Sequence, residues 1–475
     1  MEFRPRAIVR IDRLVSRASG MALGTLKDRL ASDLYAALGR RPGKLEFMRF
    51  MDSFQGRLYE RLRRQYEDEP FCQLLTLKLC NLAIARYHFA NRHAVLMSRP
   101  LQVTVDPTNA CQLGCPGCVH TTNREYAERF DWPRSTLPHP VFERFLEDTG
   151  AYALSVFLYS YGEPLLHRRF ADFVRSAKQY LQFTLASTNL SMPLSDPESL
   201  VTCGLDRLVL SIDGATPAVY EKYRRKGQLS LVLDNLRNIV ASKKRLRSPT
   251  PYLIWQFLTF EHNAHEIELA AEMAREIGVN EIMIRTPFDV DLDDPGIRSV
   301  RAPGRGTRTF IRWDGRWCSA DQRRAVAARA PGIQKLFDRS WEQRFHDTPG
   351  PAEENRRASP TCDWLYQNLT LDGAARVMPC CMAPDKGDKR LVFANFPGAD
   401  PVNSPMATLA RLAFADRAAF RRQSADVAPA GIPFCATCTE KPGPYGLINV
   451  EADIRALDAQ LAVPRSLRWA LTKWS

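Results

Sequence analysis

Six short β-rich runs, separated by longer amphipathic stretches, occupy the middle of the chain: LQVTV from Leu101, ALSVFLYS at 153–160, FTLAS at 183–187, RLVLSI at 207–212, YLIWQFLTF at 252–260 and EIMIRT at 281–286. Between them PVFERFLEDTGA, RFADFVRSAKQYL, LSLVLDNLRNIVASKKRL and EIELAAEMAREIGV carry apolar residues at helical spacing. Strands joined by helices run parallel, because only a parallel pair needs so long a crossover, and such a sheet is covered by those helices. The expected fold class is therefore α/β; six such units suggest a partial (β/α)6 TIM-like barrel over residues 99–290 rather than an open two-faced sheet, a closure that periodicity alone does not decide.

The flanks read differently. Residues 1–98 form a helical, basic N-terminal region, with apolar spacing in Phe47, Phe50, Met51, Phe54, Leu58 and Leu62. Residues 291–360 are rich in Arg, Pro and Gly and read as an irregular insertion or linker. A small Cys-rich C-terminal domain is expected over 361–445, and a helical tail over 446–475.

Net charge is +13 over 475 residues, and residues 1–100 hold 19 Lys and Arg against 10 Asp and Glu, so most of the basicity is local. A basic arm suits nucleic acid, an anionic membrane or an acidic partner, but a solvated surface is the preferred reading, and nucleic acid is not the expected partner. No apolar run is long enough to span a membrane; the best stretch, Leu74 to Ala90, is broken by Lys78 and Arg86. The first residues alternate Arg with apolar positions and lack a secretory pattern, so a cytoplasmic location is expected. There, thiols stay reduced and grouped cysteines point to metal.

The segment DPTNACQLGCPGCVH places Cys111, Cys115 and Cys118 on the loop that follows the first predicted strand. That end of a parallel sheet or barrel is where chemistry collects. Three thiolates leave one metal of a cubane cluster without a protein ligand, an open position for a substrate or cofactor. Gly114 and Gly117 permit the tight path that converging thiols require. A zinc knuckle completed by His120 is the competing reading of the same spacing.

These residues resemble the radical S-adenosylmethionine (SAM) superfamily, whose hallmark is Cys-x3-Cys-x2-Cys after the first barrel strand. SYGEP, from Ser160 to Pro164, looks like the family's Gly-Gly-Glu-Pro segment, with Tyr161 in place of the first glycine. STN, from Ser187 to Asn189, and SIDG, from Ser211 to Gly214, end the third and fourth strands, where family members touch the methionine carboxylate and the ribose. Many members also carry an aromatic residue where this chain has Gly117. The resemblance implies a [4Fe-4S] cluster on Cys111, Cys115 and Cys118, with SAM held by Tyr161, Gly162, Glu163, Pro164, Ser187, Asn189, Ser211 and Asp213. It also implies an electron donor such as flavodoxin or ferredoxin, and hydrogen abstraction from a substrate by a 5′-deoxyadenosyl radical.

A second group holds Cys362, Cys380, Cys381, Cys435 and Cys438, where WLYQNLTLDGAARVMPCC reads as two strands around an Asp372-Gly373 turn. It resembles the SPASM or twitch extension of radical SAM enzymes. The resemblance implies one auxiliary [4Fe-4S] cluster on Cys362, Cys380, Cys435 and Cys438, with Cys381 able to replace Cys380; a zinc ribbon is the alternative. Cys72, Cys80, Cys203 and Cys318 read as buried apolar side chains. The leading function is oxidation or rearrangement of a small polar metabolite. The alternatives are a maturase acting on a peptide or protein and, from another class, a zinc-dependent nucleic-acid-binding protein.

Overall fold

The computed structural model describes residues 68–121 apart from 92 and 119, 134–285, 308–312, 364–380 and 392–415 apart from 399, with isolated positions at 55–64 and 287–298. A long helix, α1 (Glu69–Asn91), precedes β1 (Gln102–Val105). Then come α2 (His139–Thr149), β2 (Ser155–Phe157), α3 (Phe170–Lys178), β3 (Phe183–Thr188), α4 (Pro197–Thr202) and β4 (Arg207–Ser211). These are followed by α5 (Pro217–Tyr223), α6 (Leu229–Arg245), β5 (Tyr252–Leu258), α7 (Ile267–Ile277) and β6 (Glu281–Arg285). The last described elements are β7 (Arg308–Arg312), α8 (Trp364–Gln367), β8 (Asn368–Leu371), β9 (Arg376–Met378), β10 (Ala394–Asn395) and α9 (Pro405–Ala415).

Each of the six β-rich runs contains one of the strands β1 to β6, and these pair in chain order, all parallel. Among the described residues the sheet has ten strands in the order β10-β9-β8-β1-β2-β3-β4-β5-β6-β7, with ends that do not pair, so it is open and not a closed barrel.

Alternation along the strands separates two faces. Val103, Val105, Val156, Ala186, Leu208, Leu210, Leu253, Trp255 and Phe257 point outward, are fully buried, and share one core with Phe142, Phe145, Phe173, Leu236 and Ile239 of the covering helices. Each large apolar side chain sealed there contributes about 1.5–3 kcal/mol of transfer free energy. The other face stays partly open: Leu185 and Ser187 on β3 and Gln256 and Leu258 on β5 are only half-buried. Lower on that face, Val209, Ile254 and Met283 form an apolar layer with Leu185 and Tyr252.

Two buried cations fasten the flanking helices. Lys78 of α1 donates to the carbonyls of Gly150, at 2.8 Å, and Ala153, just ahead of β2. Burial holds its ammonium pKa well below the usual lysine value. Arg411 of α9 donates to the carbonyls of Leu365, Ala94 and Val402 at 2.9, 2.8 and 2.6 Å. Among the described residues no helix is long and apolar enough to cross a membrane.

Three features differ from the sequence reading. The stretch taken as irregular, 291–360, contains β7, which pairs antiparallel with β6. Its sequence RTFIR has β-forming residues flanked by Arg, too short a run to show alternation. The hairpin expected around Asp372-Gly373 is present as β8 and β9, but β8 also pairs in parallel with β1, which makes the hairpin an extension of the central sheet. That pairing joins strands more than 260 residues apart, which local periodicity cannot reveal. Short helices α4 and α5 also interrupt the connections before and after β4. Phe47, Phe50, Met51, Phe54 and Cys318, and the expected tail 446–475, lie outside the described residues.

Candidate active site

The loop after β1 carries the first cysteine group at the C-terminal end of the parallel strands. Cys115 is buried, Cys111 and Cys118 are half-buried, and all three pack with Leu113, Tyr223, Phe260, Leu258 and Ile297. Gly117 adopts φ 75°, a left-handed conformation that a β-carbon would strain, and the Cys118 N–H closes a turn onto the Cys115 carbonyl at 3.1 Å.

Burial raises the Cys111 thiol pKa and pushes that of Cys115 up to about 12. Such thiols hold their protons until a metal displaces them. Side-chain donors already face two of the sulfurs: Asn189 Nδ2 lies 3.6 Å from Cys111 Sγ, and Arg224 Nη1 lies 3.9 Å from Cys115 Sγ. Donors aimed at sulfur suit an anionic thiolate cluster, so the residues present fit the [4Fe-4S] group that the sequence implies.

They do not fit the zinc knuckle. His120 points its Nε2 at the Tyr161 carbonyl, 2.9 Å away.

The SYGEP segment docks directly on this loop. The Glu163 N–H donates to the Ala110 carbonyl at 2.8 Å, and the Tyr161 N–H points to Asp106 Oδ2 at 3.4 Å. Gly162 lies so close that a β-carbon there would sit 1.7 Å from the Thr108 carbonyl oxygen. Pro164 opens a short 3-10 turn, Pro164–Leu166, which Glu163 caps through the Leu165 N–H at 3.1 Å. The Glu163 carboxylate is buried, and it also accepts from Thr188 Oγ1 and the Asn189 N–H, both at 2.7 Å. Burial raises its pKa and these three bonds oppose the rise. In this structure the carboxylate ties the segment to the end of β3.

Ser187 and Ser211 meet on the open face with their hydroxyl oxygens 3.5 Å apart. The polar row continues across the sheet, from Gln256 Nε2 to Ser211 Oγ at 3.5 Å and from Arg285 Nη1 to Gln256 Oε1 at 3.3 Å. Asn189 Oδ1 accepts from Gln112 Nε2 at 2.8 Å and from the Ser191 N–H at 2.9 Å. Asp213 is fully buried, with Oδ2 on Arg224 Nε and Oδ1 on the Leu258 N–H, each at 2.6 Å. Its carboxylate is thus committed to protein groups. Burial is the largest single influence on Arg224 and works against its charge, but Asp213, with smaller contributions from Cys115, Tyr223 and Tyr220, together holds the guanidinium pKa above the usual arginine value.

Sequence reasoning missed Asp106, Gln112, Arg224, Gln256 and Arg285. Arg285 sits near the end of a predicted strand and Asp106 directly after one, whereas Gln256 lies in the middle of its run. In the second cysteine group Cys380 is half-buried just after β9; Cys362, Cys381, Cys435 and Cys438 lie outside the described residues. Cys72, Cys80 and Cys203 are buried, as expected of apolar side chains.

Comparison with known proteins bears on the same segment. The sequence pattern of the Radical SAM superfamily matches residues 105–255. A protein named probable GTP 3′,8-cyclase from Methanocaldococcus jannaschii is 23% identical over 181 residues, which span 38% of this chain and 56% of that relative. Streptococcus suis SuiB bound to precursor peptide SuiA is similar at 13% identity and a TM-score of 0.47, covering 81% of this chain and 79% of that one. BtrN in complex with AdoMet and 2-DOIA is similar at 12% identity and a TM-score of 0.34, covering 67% and 89%. The cysteine spacing, its place after β1 and the matched pattern agree: residues 105–255 carry the sequence pattern of the Radical SAM superfamily, whose members are enzymes.

Proposed function

We propose that the chain reductively cleaves SAM and uses the resulting radical to oxidise or rearrange a small polar metabolite. The observation that carries this reading is the junction of a loop bearing three thiols with the Ser160–Pro164 segment at one end of the parallel sheet, joined by the Glu163 to Ala110 bond of 2.8 Å. When bound, the cluster supplies one electron to the SAM sulfonium, and cleavage of a carbon-sulfur bond gives a 5′-deoxyadenosyl radical.

The chain's residues have separate tasks. Cys111, Cys115 and Cys118 hold the cluster and leave one iron open. Tyr161 to Pro164 and the ends of β3 and β4 hold SAM beside it, which fixes the reacting atoms at short range. The polar row of Ser187, Ser211, Gln256 and Arg285 lies on the half-open inner face above the apolar layer of Leu185, Val209, Ile254 and Met283. A half-open face with a polar row beside an apolar layer suits a compact polar substrate better than an extended one.

An auxiliary [4Fe-4S] cluster on Cys362, Cys380, Cys435 and Cys438 belongs to the same reading, with Cys381 as the substitute for Cys380. Its support is the predicted hairpin, which ends beside Cys380. Reduction by flavodoxin or ferredoxin and a cytoplasmic location complete the proposal.

The test is deuterium transfer. Reconstituted protein is incubated anaerobically with SAM, dithionite and a deuterated cell extract split by ultrafiltration. Deuterium in 5′-deoxyadenosine from the low-mass filtrate is expected. Deuterium from the retained fraction alone would mean a peptide or protein substrate, and none from either would overturn the reading.

A further inference from the structure

The three thiols do not have equivalent surroundings. Cys111 faces the neutral amide of Asn189, whereas Cys115, the most deeply buried of the three, faces the guanidinium of Arg224. Arg224 lies just past the end of α5 with its side chain 12% exposed, so solvent screens its charge only weakly. Its orientation is fixed from several sides. Nε and Nη2 both reach Asp213 Oδ2 at 2.6 Å, the guanidinium carbon stands 5.3 Å from the centre of the Tyr223 ring, and the backbone N–H bonds to the Tyr220 carbonyl at 2.8 Å. Asp213 is in turn held by the Leu258 N–H at 2.6 Å.

This is an oriented charge pair with its positive end toward sulfur. Nη1 reaches 3.9 Å from Cys115 Sγ, while the carboxylate sits behind the guanidinium. Reduction adds one negative charge to a cluster, so a fixed cation beside a ligating thiolate favours the reduced form, and a fixed anion opposes it. Hydrogen bonds to the sulfurs and net charge are among the factors that set such potentials.

We propose that Arg224 is a positioning residue for electron transfer: it acts through Cys115 to raise the reduction potential of the cluster, and Asp213 aims it. The inference rests on the cluster assignment above, and it predicts shifts of opposite sign at two residues in contact. A purely structural role predicts loss of iron at both.

The test is a potentiometric titration of the cluster without SAM, followed by electron paramagnetic resonance, on the full-length reconstituted chain. The variants are Arg224→Gln, Arg224→Lys and Asp213→Asn, each with its iron content measured. Arg224→Gln is expected to shift the midpoint potential negative and Arg224→Lys to restore most of the shift, since it keeps the charge. Asp213→Asn is expected to shift it positive, because the amide oxygen still accepts from Arg224 and keeps it aimed while the opposing negative charge is gone. An unchanged potential in Arg224→Gln, or equal shifts in the Gln and Lys variants, would overturn the proposal. If Arg224→Gln does not hold iron, Asp213→Asn decides: a negative or absent shift there overturns the proposal. If wild-type protein forms no cluster, the functional reading fails first, so the two failures are distinguishable.

Discussion

Glu163 holds Asn189: one carboxylate oxygen accepts the Asn189 N–H at 2.7 Å, and Asn189 turns its own amide toward Cys111 Sγ, 3.6 Å away. The segment expected to bind SAM is thereby linked to a cluster ligand through one residue. The link has a direct consequence for substitution.

Glu163→Gln keeps one acceptor oxygen and turns an NH2 group toward a donor. Leaving a buried hydrogen bond unmade costs about 1–3 kcal/mol. We expect a lower melting temperature and about tenfold weaker SAM binding or more, with iron content retained. Calorimetric titration with SAM checks this, and equal affinity in variant and wild type would contradict it.

Gly162→Ala should be more severe. Its β-carbon would lie 1.7 Å from the Thr108 carbonyl oxygen and 2.8 Å from Asn109 Cα, both backbone atoms that cannot rotate away. The Tyr161–Pro164 segment must then lift from the cluster loop. SAM binding is expected to fall below detection in the same titration, while circular dichroism shows the fold retained.

Asp106 supplies a prediction about pH. Burial, with a smaller contribution from Asp372, pushes its carboxyl up to about 7, against opposing bonds from the Ser160, Tyr161 and Gly162 N–H groups. The charge facing it is that of Asp372, which is itself paired with Arg376 at 2.7 Å. A carboxyl raised on folding contributes stability that is full below its unfolded pKa, near 3.8, and is lost as pH rises through about 7. Asp106→Asn lacks this loss. Its melting temperature relative to wild type should therefore rise from pH 5 to pH 8, and a difference independent of pH would contradict the assignment.

How much of this was legible beforehand follows from sequence distance. The ligands Cys111, Cys115 and Cys118 sit within eight residues, so their spacing alone displays the site. Strand ends such as Ser187 and Ser211 are legible because alternation marks where each strand stops. The contacts of Asn189 with Cys111 and of Arg224 with Cys115 join residues 78 and 109 positions apart, and only the folded sheet brings those loops together. Asp213 was visible as a strand-end acid, but the guanidinium that occupies it was not, since Arg224 lies beyond a short helix that no periodicity announced.

The second cysteine group is tested by iron stoichiometry. Two four-iron clusters give about eight irons per chain. Cys435→Ala with Cys438→Ala should lose about half of them and keep SAM cleavage with an artificial reductant, because the first three thiols are untouched. Substrate conversion should fail. Full iron in the double variant would leave the group without a cluster.

The most direct test of the central claim is 5′-deoxyadenosine formation by the single variants Cys111→Ala, Cys115→Ala and Cys118→Ala. Each protein is reconstituted anaerobically and given SAM and dithionite, with product measured by chromatography. Wild type is expected to release 5′-deoxyadenosine and each variant none, with folding retained because the loop lies at the C-terminal ends of the parallel strands and outside the main core. Undiminished SAM cleavage in any one of the three would contradict the account.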